Sequence, residues 1–324
     1  MNVLLTTYCN LRCPYCFAAP KLRMRRREKN THISLENLKT VLDFCKKSNQ
    51  HHIGVLGGEP TLHPYFADAI GTIMKEGLSF TLFSNGIIRK EKDRLFLRDV
   101  DPKQCEIAIN INTEDFYGKA EYAVVKETLQ SLHDKIQLGF NIYREDFDAT
   151  FLIELINEYR LQRRIRLGIA SPILGHNNQH VAIDKHRTVA EQIVKFADQC
   201  DQSDISINFD CGFTLCSFTE GECGKLQYAN SPLVAYCAPV IDVAPDLTVW
   251  RCFATSALWN KNLNDFRNLE EIQQFFEKKF WKFQRVGATG KCFRCKHLRR
   301  KQCGGGCLAH TMKASNIAQL LAGC

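Results

Sequence analysis

The chain has 324 residues, 45% of them apolar and 24% charged, enough apolar material for one large domain of roughly 200 residues and a smaller one, which excludes a disordered protein. No apolar run approaches the roughly 18 to 20 residues of a membrane span, and the opening MNVLLTTYC lacks the basic start, long apolar centre and cleavage site of a secretory signal, so a soluble cytoplasmic protein is expected. The formal charge of +8 counts all 16 cysteines as neutral, so it argues only weakly for a nucleic-acid partner.

The first element is the apolar strand MNVLLTTY, which runs into YCNLRCPYC and sets Cys9, Cys13 and Cys16 close together. The basic run KLRMRRREK at 21–29 reads as a solvated face. SLENLKTVLDFCKKS has apolar residues at helical spacing, with Ser34 as its cap and Asn37 at the third position. HHIGVLGGEP is a strand entering a glycine turn. The alternation then repeats: a helix near 65–77, strand SFTLFSNG, a helix near 89–98, strand EIAININ, a helix near 119–133, strand IQLGFNIY, a helix near 149–161, and strand IRLGIASPI. ISINFD, 205–210, is a seventh strand candidate. Six strand–helix units imply an α/β fold of parallel strands with crossover helices, an open sheet or a barrel, whose chemistry gathers at the strands' carboxyl ends. Cys9, Gly57, Gly58, Glu59, Pro60, Ser84, Asn85, Asn110, Asn112, Asn141 and Ser171 all fall at or just past such ends.

A disulfide framework suits small secreted domains, so this many cysteines favours metal ligation. Three on one loop is the odd feature, because a closed structural metal site takes four. A second group follows residue 206: Cys211, Cys216 and Cys223 in DCGFTLCSFTEGEC, then Cys237 and Cys252, then Cys292, Cys295, Cys303 and Cys307 in CFRCKHLRRKQCGGGC, and Cys324 in the final LAGC. The last four letters look like a lipid-attachment box, but such boxes follow an N-terminal signal. Paired cysteines of this kind also suit tetrahedral zinc. Cys45 and Cys200 fall on predicted helices and Cys105 at a strand start, as packing residues. His51, His52 and His63 surround the glycine turn without metal-ligand spacing. There is no internal repeat, low-complexity linker or dinucleotide fingerprint.

CNLRCPYC resembles the Cys-x3-Cys-x2-Cys signature of radical S-adenosylmethionine (SAM) enzymes, and GGEP at 57–60 resembles that family's second motif. The resemblance implies a partial (β/α)6 TIM-like barrel over 1–205. It explains three thiolates: they hold three irons of a four-iron, four-sulfur (4Fe-4S) cluster and leave the fourth iron for the amino and carboxylate groups of SAM. It further implies that Glu59 and the backbone of Gly57 and Gly58, beside Pro60, receive the methionine ammonium, that Ser84 and Asn110 or Asn112 reach ribose or carboxylate, and that Tyr15 lies beside the adenine.

The C-terminal cysteines resemble a SPASM domain, which carries two auxiliary clusters, over 237–324 after a bridging segment 206–236. By that resemblance Cys292, Cys295, Cys303 and Cys324 bind an outer cluster, and Cys237, Cys252 and Cys307 an inner one. Three clusters would subtract about five charges and leave about +3. Two departures stand out. Where the family has a cysteine about six residues before Cys237, this chain has Ser231, and seven residues separate Cys295 from Cys303 where five are common. The inner cluster therefore recruits Cys211, Cys216 or Cys223 or keeps an open iron, and a spare thiol among the three is a candidate hydrogen donor to a substrate radical.

The resemblance implies an oxidoreductase or peptide maturase acting on a ribosomally made peptide by cross-linking, epimerisation or oxidation, with a reductase such as flavodoxin or ferredoxin. The barrel begins at residue 3, so leader recognition is expected from a separate protein or from the barrel mouth. A small molecule (sugar, amino acid or nucleoside) is the alternative substrate, and a non-catalytic electron carrier or redox sensor a third reading, which leaves GGEP and the open three-cysteine site unexplained.

Overall fold

Along the central strands alternate residues are apolar, and one face of each is sealed against helices. Phe80 and Leu82, Ile107 and Ile109, and Ile165 and Leu167 are all fully buried in one continuous core. Truncating one of these, Phe80→Ala, would cost about 3–5 kcal/mol by transfer and cavity formation.

The computed structural model describes residues 1–25 and 31–314. Its sheet contains β1 Asn2–Leu4, β2 His52–Leu56, β3 Ser79–Ser84, β4 Cys105–Asn110, β5 Ile136–Ile142, β6 Arg164–Ile169, β7 Ser206–Phe209, β8 Asp242–Val243, β9 Thr248–Trp250 and β10 Lys261–Asn262. The order is β10-β9-β8-β1-β2-β3-β4-β5-β6-β7. From β1 to β7 neighbours are parallel and sequential, with Val3 opposite Val55 and Leu82 opposite Ile107. This is the mixed α/β fold that the alternation implies, in the partial TIM-like form that the resemblance implies. Helices Leu35–Lys47, Phe66–Lys75, Glu91–Asp99, Lys119–Ser131, Phe151–Tyr159 and His186–Gln202 make the crossovers. Ser34 caps the first by accepting from the Asn37 N–H at 3.1 Å. Cys45, Cys105 and Cys200 are buried in the core as packing residues.

The sheet continues past the barrel where no sequence signal announced it. β8 joins β1 in parallel, Asn2 opposite Asp242, and β9 and β10 follow antiparallel. One sheet thus runs through both segments divided at residue 237. Asn2 Nδ2 donates to Asp242 Oδ1 at 2.8 Å, and Asn37 Nδ2 to the Pro245 carbonyl at 2.8 Å. The helix Leu269–Gln284, capped by Asn268, is likewise not among the expected elements; it buries Ile272, Phe276 and Phe280. Residues 26–29 of the basic run, and Cys324, lie outside the described residues. No helix among the described residues is long and apolar enough to cross a membrane.

Candidate active site

The loop after β1 carries Cys9, Cys13 and Cys16 over the carboxyl end of the sheet. It is held from two sides: the Thr7 N–H donates to the Thr31 carbonyl at 2.9 Å, and the Gln179 N–H, beyond β6, to the Pro14 carbonyl at 3.0 Å. Cys9 Sγ accepts from the Leu11 N–H at 3.4 Å. Burial first, then the neighbouring charges of Cys16 and Cys9, pushes the Cys13 thiol up to about 12, while a hydrogen bond from Tyr15 works the other way. Three thiols close enough to repel one another as thiolates are costly without a cation among them and favourable with one. The donor set fits a metal cluster.

The glycine turn is laced to this loop. The Gly58 N–H donates to the Thr6 carbonyl at 2.8 Å and the Glu59 N–H to the Tyr8 carbonyl at 2.7 Å. A Cβ at Gly58 would lie 2.0 Å from Tyr8 O, so only glycine permits the approach. Glu59 is fully buried. Its Oε1 accepts from Ser84 Oγ at 3.0 Å and Thr61 Oγ1 at 2.8 Å, and its Oε2 from the Asn85 N–H at 2.9 Å. Burial raises its pKa and these donors oppose the rise. Glu59 thus ties the turn that Pro60 leaves to the end of β3. Asn85 Nδ2 reaches Asn10 Oδ1 at 2.7 Å, closing the ring back onto the cysteine loop.

Tyr15 and Asn112 form a second pair. Asn112 Nδ2 donates to Tyr15 Oη at 2.7 Å, and the Tyr15 ring stacks on Tyr143 with centroids 4.6 Å apart. A cleft beside them is lined by Asn112, Phe116, Phe140, Tyr143, Arg144 and Phe147. A wider groove among Leu35, Tyr65, Gly71 and Lys75 lies on the helix layer.

Asn110 points elsewhere, to the concave face, where its Oδ1 accepts from Asn141 Nδ2 at 3.5 Å. There Arg166 Nε donates to Asp210 Oδ1 at 2.7 Å, with the guanidinium over Phe83 at 4.9 Å. Gly168 keeps this wall open, since a Cβ would lie 2.6 Å from Asn141 Oδ1. Sequence reasoning missed Arg166, Asp210 and Tyr143. The alternation in RIRLGI carried a signal: Arg164 and Arg166 share the face opposite Ile165 and Leu167.

The C-terminal thiols are grouped in two places. Cys237 Sγ accepts from Arg251 Nη2 at 3.5 Å, Cys252 Sγ lies 3.2 Å from Thr255 Oγ1, and the Cys307 thiol, raised to about 11 by burial and then by the charge of Cys252, is hydrogen-bonded to the Ser171 side chain. Cys292 Sγ lies 3.4 Å from Thr289 Oγ1 and Cys303 Sγ accepts from the Gly305 N–H at 3.3 Å. The Ala288 N–H donates to the Gly305 carbonyl at 2.8 Å, joining the Cys292 and Cys303 segments. Cys295 follows by a turn, its N–H bonded to the Cys292 carbonyl at 3.0 Å. Among the described residues no three such side chains converge tightly enough to hold a single metal ion.

Residues 3–144 match the family model described as the Radical SAM superfamily. That match covers less than half of the chain, the segment from β1 to β5 that carries Cys9, Cys13, Cys16 and the glycine turn. A radical SAM segment implies an enzyme with a 4Fe-4S cluster and SAM as cofactors. Among solved structures, that of Streptococcus suis SuiB bound to precursor peptide SuiA is similar at a TM-score of 0.68 and 15% identity, over 96% of this chain and 72% of that one. Native anSMEcpe with bound AdoMet and Kp18Cys peptide is similar at 0.67 and 16%, over 95% and 88%. At such identity the likeness is one of fold, and it extends through the C-terminal segment. Among curated proteins, the Homo sapiens molybdenum cofactor biosynthesis protein 1 is 28% identical over 148 residues, 44% of this chain and 22% of that protein. GTP 3',8-cyclase of Clostridium perfringens (strain 13 / Type A) is 26% identical over 165 residues, 48% of this chain and 50% of the relative. The chain spans half or less of the length of these two relatives.

Proposed function

We propose that this chain is a radical SAM enzyme and that it modifies a peptide. The observation that carries the reading is fold likeness over nearly the whole chain, barrel and C-terminal segment together, to two structures with a bound peptide.

Cys9, Cys13 and Cys16 hold the cluster. When bound, the cluster and SAM supply a 5'-deoxyadenosyl radical that takes a hydrogen atom from the substrate. The remaining work belongs to this chain. The carbonyls of Gly57 and Gly58 receive the methionine ammonium, and Glu59 holds them in place from beneath. Ser84 and Asn112 serve ribose or carboxylate, and Tyr15 and Tyr143 wall the adenine. Arg166 and Asp210, on the concave face beside Asn110 and Asn141, orient a polar group of the substrate. Cys237, Cys252 and Cys307 hold an inner auxiliary cluster, and Cys292, Cys295 and Cys303, with Cys324, an outer one. A flavodoxin or ferredoxin supplies electrons, and a separate protein or the barrel mouth reads any leader.

A second reading has its own observation: the curated matches include GTP 3',8-cyclases, which favours a small molecule such as a nucleotide. These matches reach about half of the chain and say nothing of the C-terminal thiols. The two readings separate when the anaerobically reduced enzyme is given SAM with candidate peptides or with GTP. Peptide-dependent 5'-deoxyadenosine and a changed peptide mass are the expected result; stimulation by GTP alone would favour the nucleotide.

A further inference from the structure

We propose that Cys211 is the fourth thiolate of the inner auxiliary cluster, beside Cys237, Cys252 and Cys307. This rests on the auxiliary-cluster reading, and the test below separates the two.

The geometry starts from β7. The Asp210 N–H is still bonded in the sheet, to the Leu167 carbonyl at 2.9 Å, and Gly212 then takes φ +113°, a conformation L side chains rarely adopt. Phe209 and Phe213, on either side, pack edge to face at 5.2 Å. The turn between them is fixed by that contact and by the strand, and Cys211 sits on it, exposed to solvent. The same turn touches the Cys307 segment at two points. A Cβ on Gly212 would lie 3.5 Å from Ser171 Oγ, and Ser171 bonds the Cys307 thiol. A Cβ on Gly306 would lie 3.2 Å from Thr214 Cγ2. The segment that carries Cys307 also meets Cys237: a Cβ on Gly304 would lie 3.1 Å from the Cys237 backbone nitrogen.

Four thiols around one centre are the donor set that a fully ligated 4Fe-4S cluster takes.

The other candidates stand apart. Cys216 is exposed, with its thiol 3.5 Å from Thr214 Oγ1. Cys223 packs on the main core, and the charges acting on it are those of Glu222 and Glu220. Ser231, where the family pattern has its cysteine, is buried at the opposite end of β7. Its Oγ accepts from the Ile207 N–H at 2.7 Å and donates to the Ala229 carbonyl at 3.0 Å. Ile207 and Cys211 are four residues apart, roughly 13 Å of extended chain, so Ser231 does not share the turn that carries Cys211. With four thiolates the inner cluster has no iron left for a substrate, which confines it to electron transfer.

The test uses anaerobically reconstituted full-length protein carrying Cys9→Ala, Cys13→Ala and Cys16→Ala, so that the remaining iron, about eight atoms for two 4Fe-4S clusters, reports the auxiliary sites alone. Adding Cys211→Ala should lower that iron by between one atom and one whole cluster and change the electron paramagnetic resonance spectrum, as Cys252→Ala should; Cys216→Ala and Cys223→Ala should change neither. An unaltered spectrum and iron content in Cys211→Ala, with Cys252→Ala impaired, overturns the assignment. A background protein that binds zinc, or no iron at all, overturns the auxiliary-cluster reading itself. A labelling experiment on the wild-type holoenzyme does not depend on a variant's folding. Iodoacetamide should spare Cys211 until chelation strips the clusters, while Cys216 reacts in both states; equal labelling of Cys211 in both states overturns the proposal.

Discussion

Asn112 Nδ2 lies 2.7 Å from Tyr15 Oη, a single hydrogen bond that fastens the cysteine loop to the chain leaving β4. Both residues are buried, Tyr15 at 8% exposure and Asn112 at 6%. Tyr15→Phe keeps the ring on Tyr143 but strands a buried amide, so stability should fall by about 1–3 kcal/mol, read from the urea midpoint. Tyr15 also lends Cys13 a hydrogen bond that favours its thiolate. In the cluster-free protein the variant's Cys13 should therefore alkylate more slowly at a given pH.

Glu59→Gln should destabilise the glycine turn although it removes a buried charge. The carboxylate accepts from Ser84, Thr61 and the Asn85 N–H, and an amide presents an N–H where one of these donors points. A loss of about 1–3 kcal/mol and weaker SAM binding are expected, measured by denaturant titration and calorimetry.

Asp242 gives a pH signature. Burial pushes its carboxyl from an ordinary 3.8 up to about 7, against the pull of the Asn2 amide. The folded chain holds this proton more tightly than the unfolded one. The associated stability is therefore complete below about pH 4 and is lost as pH rises through about 7. Asp242→Asn should flatten that part of the stability profile, by up to about 4 kcal/mol between pH 4 and 8.

Arg166→Gln and Asp210→Asn should leave SAM cleavage without substrate intact and raise the KM for the peptide, on the order of tenfold or more, because charge-assisted hydrogen bonds to substrate are lost. Uncoupled 5'-deoxyadenosine formation in these variants would place the pair on the substrate side; an unchanged KM would remove it from the site.

The barrel strands were legible because each is a short apolar run ending in Gly, Ser or Asn, and the cysteine loop because its spacing is local. What stayed hidden depends on residues far apart in sequence. Arg166 meets Asp210 across 44 positions, and Asn2 meets Asp242 across 240. No local pattern announces the two-residue β8 or its pairing with β1. Glu59 was expected to receive the methionine ammonium, whereas its carboxylate faces inward to Ser84 and Asn85, an orientation set by packing alone.

The proposed role of Cys9, Cys13 and Cys16 is to organise SAM cleavage at the mouth of the barrel. It is tested most directly by 5'-deoxyadenosine released from the anaerobically reconstituted, reduced protein. The wild-type chain should release 5'-deoxyadenosine and methionine in equal amounts. The variant with all three cysteines changed to Ala should release none while losing only about a third of its iron. An iron-loaded wild-type protein that forms no 5'-deoxyadenosine, or a triple variant that forms it undiminished, would contradict the account.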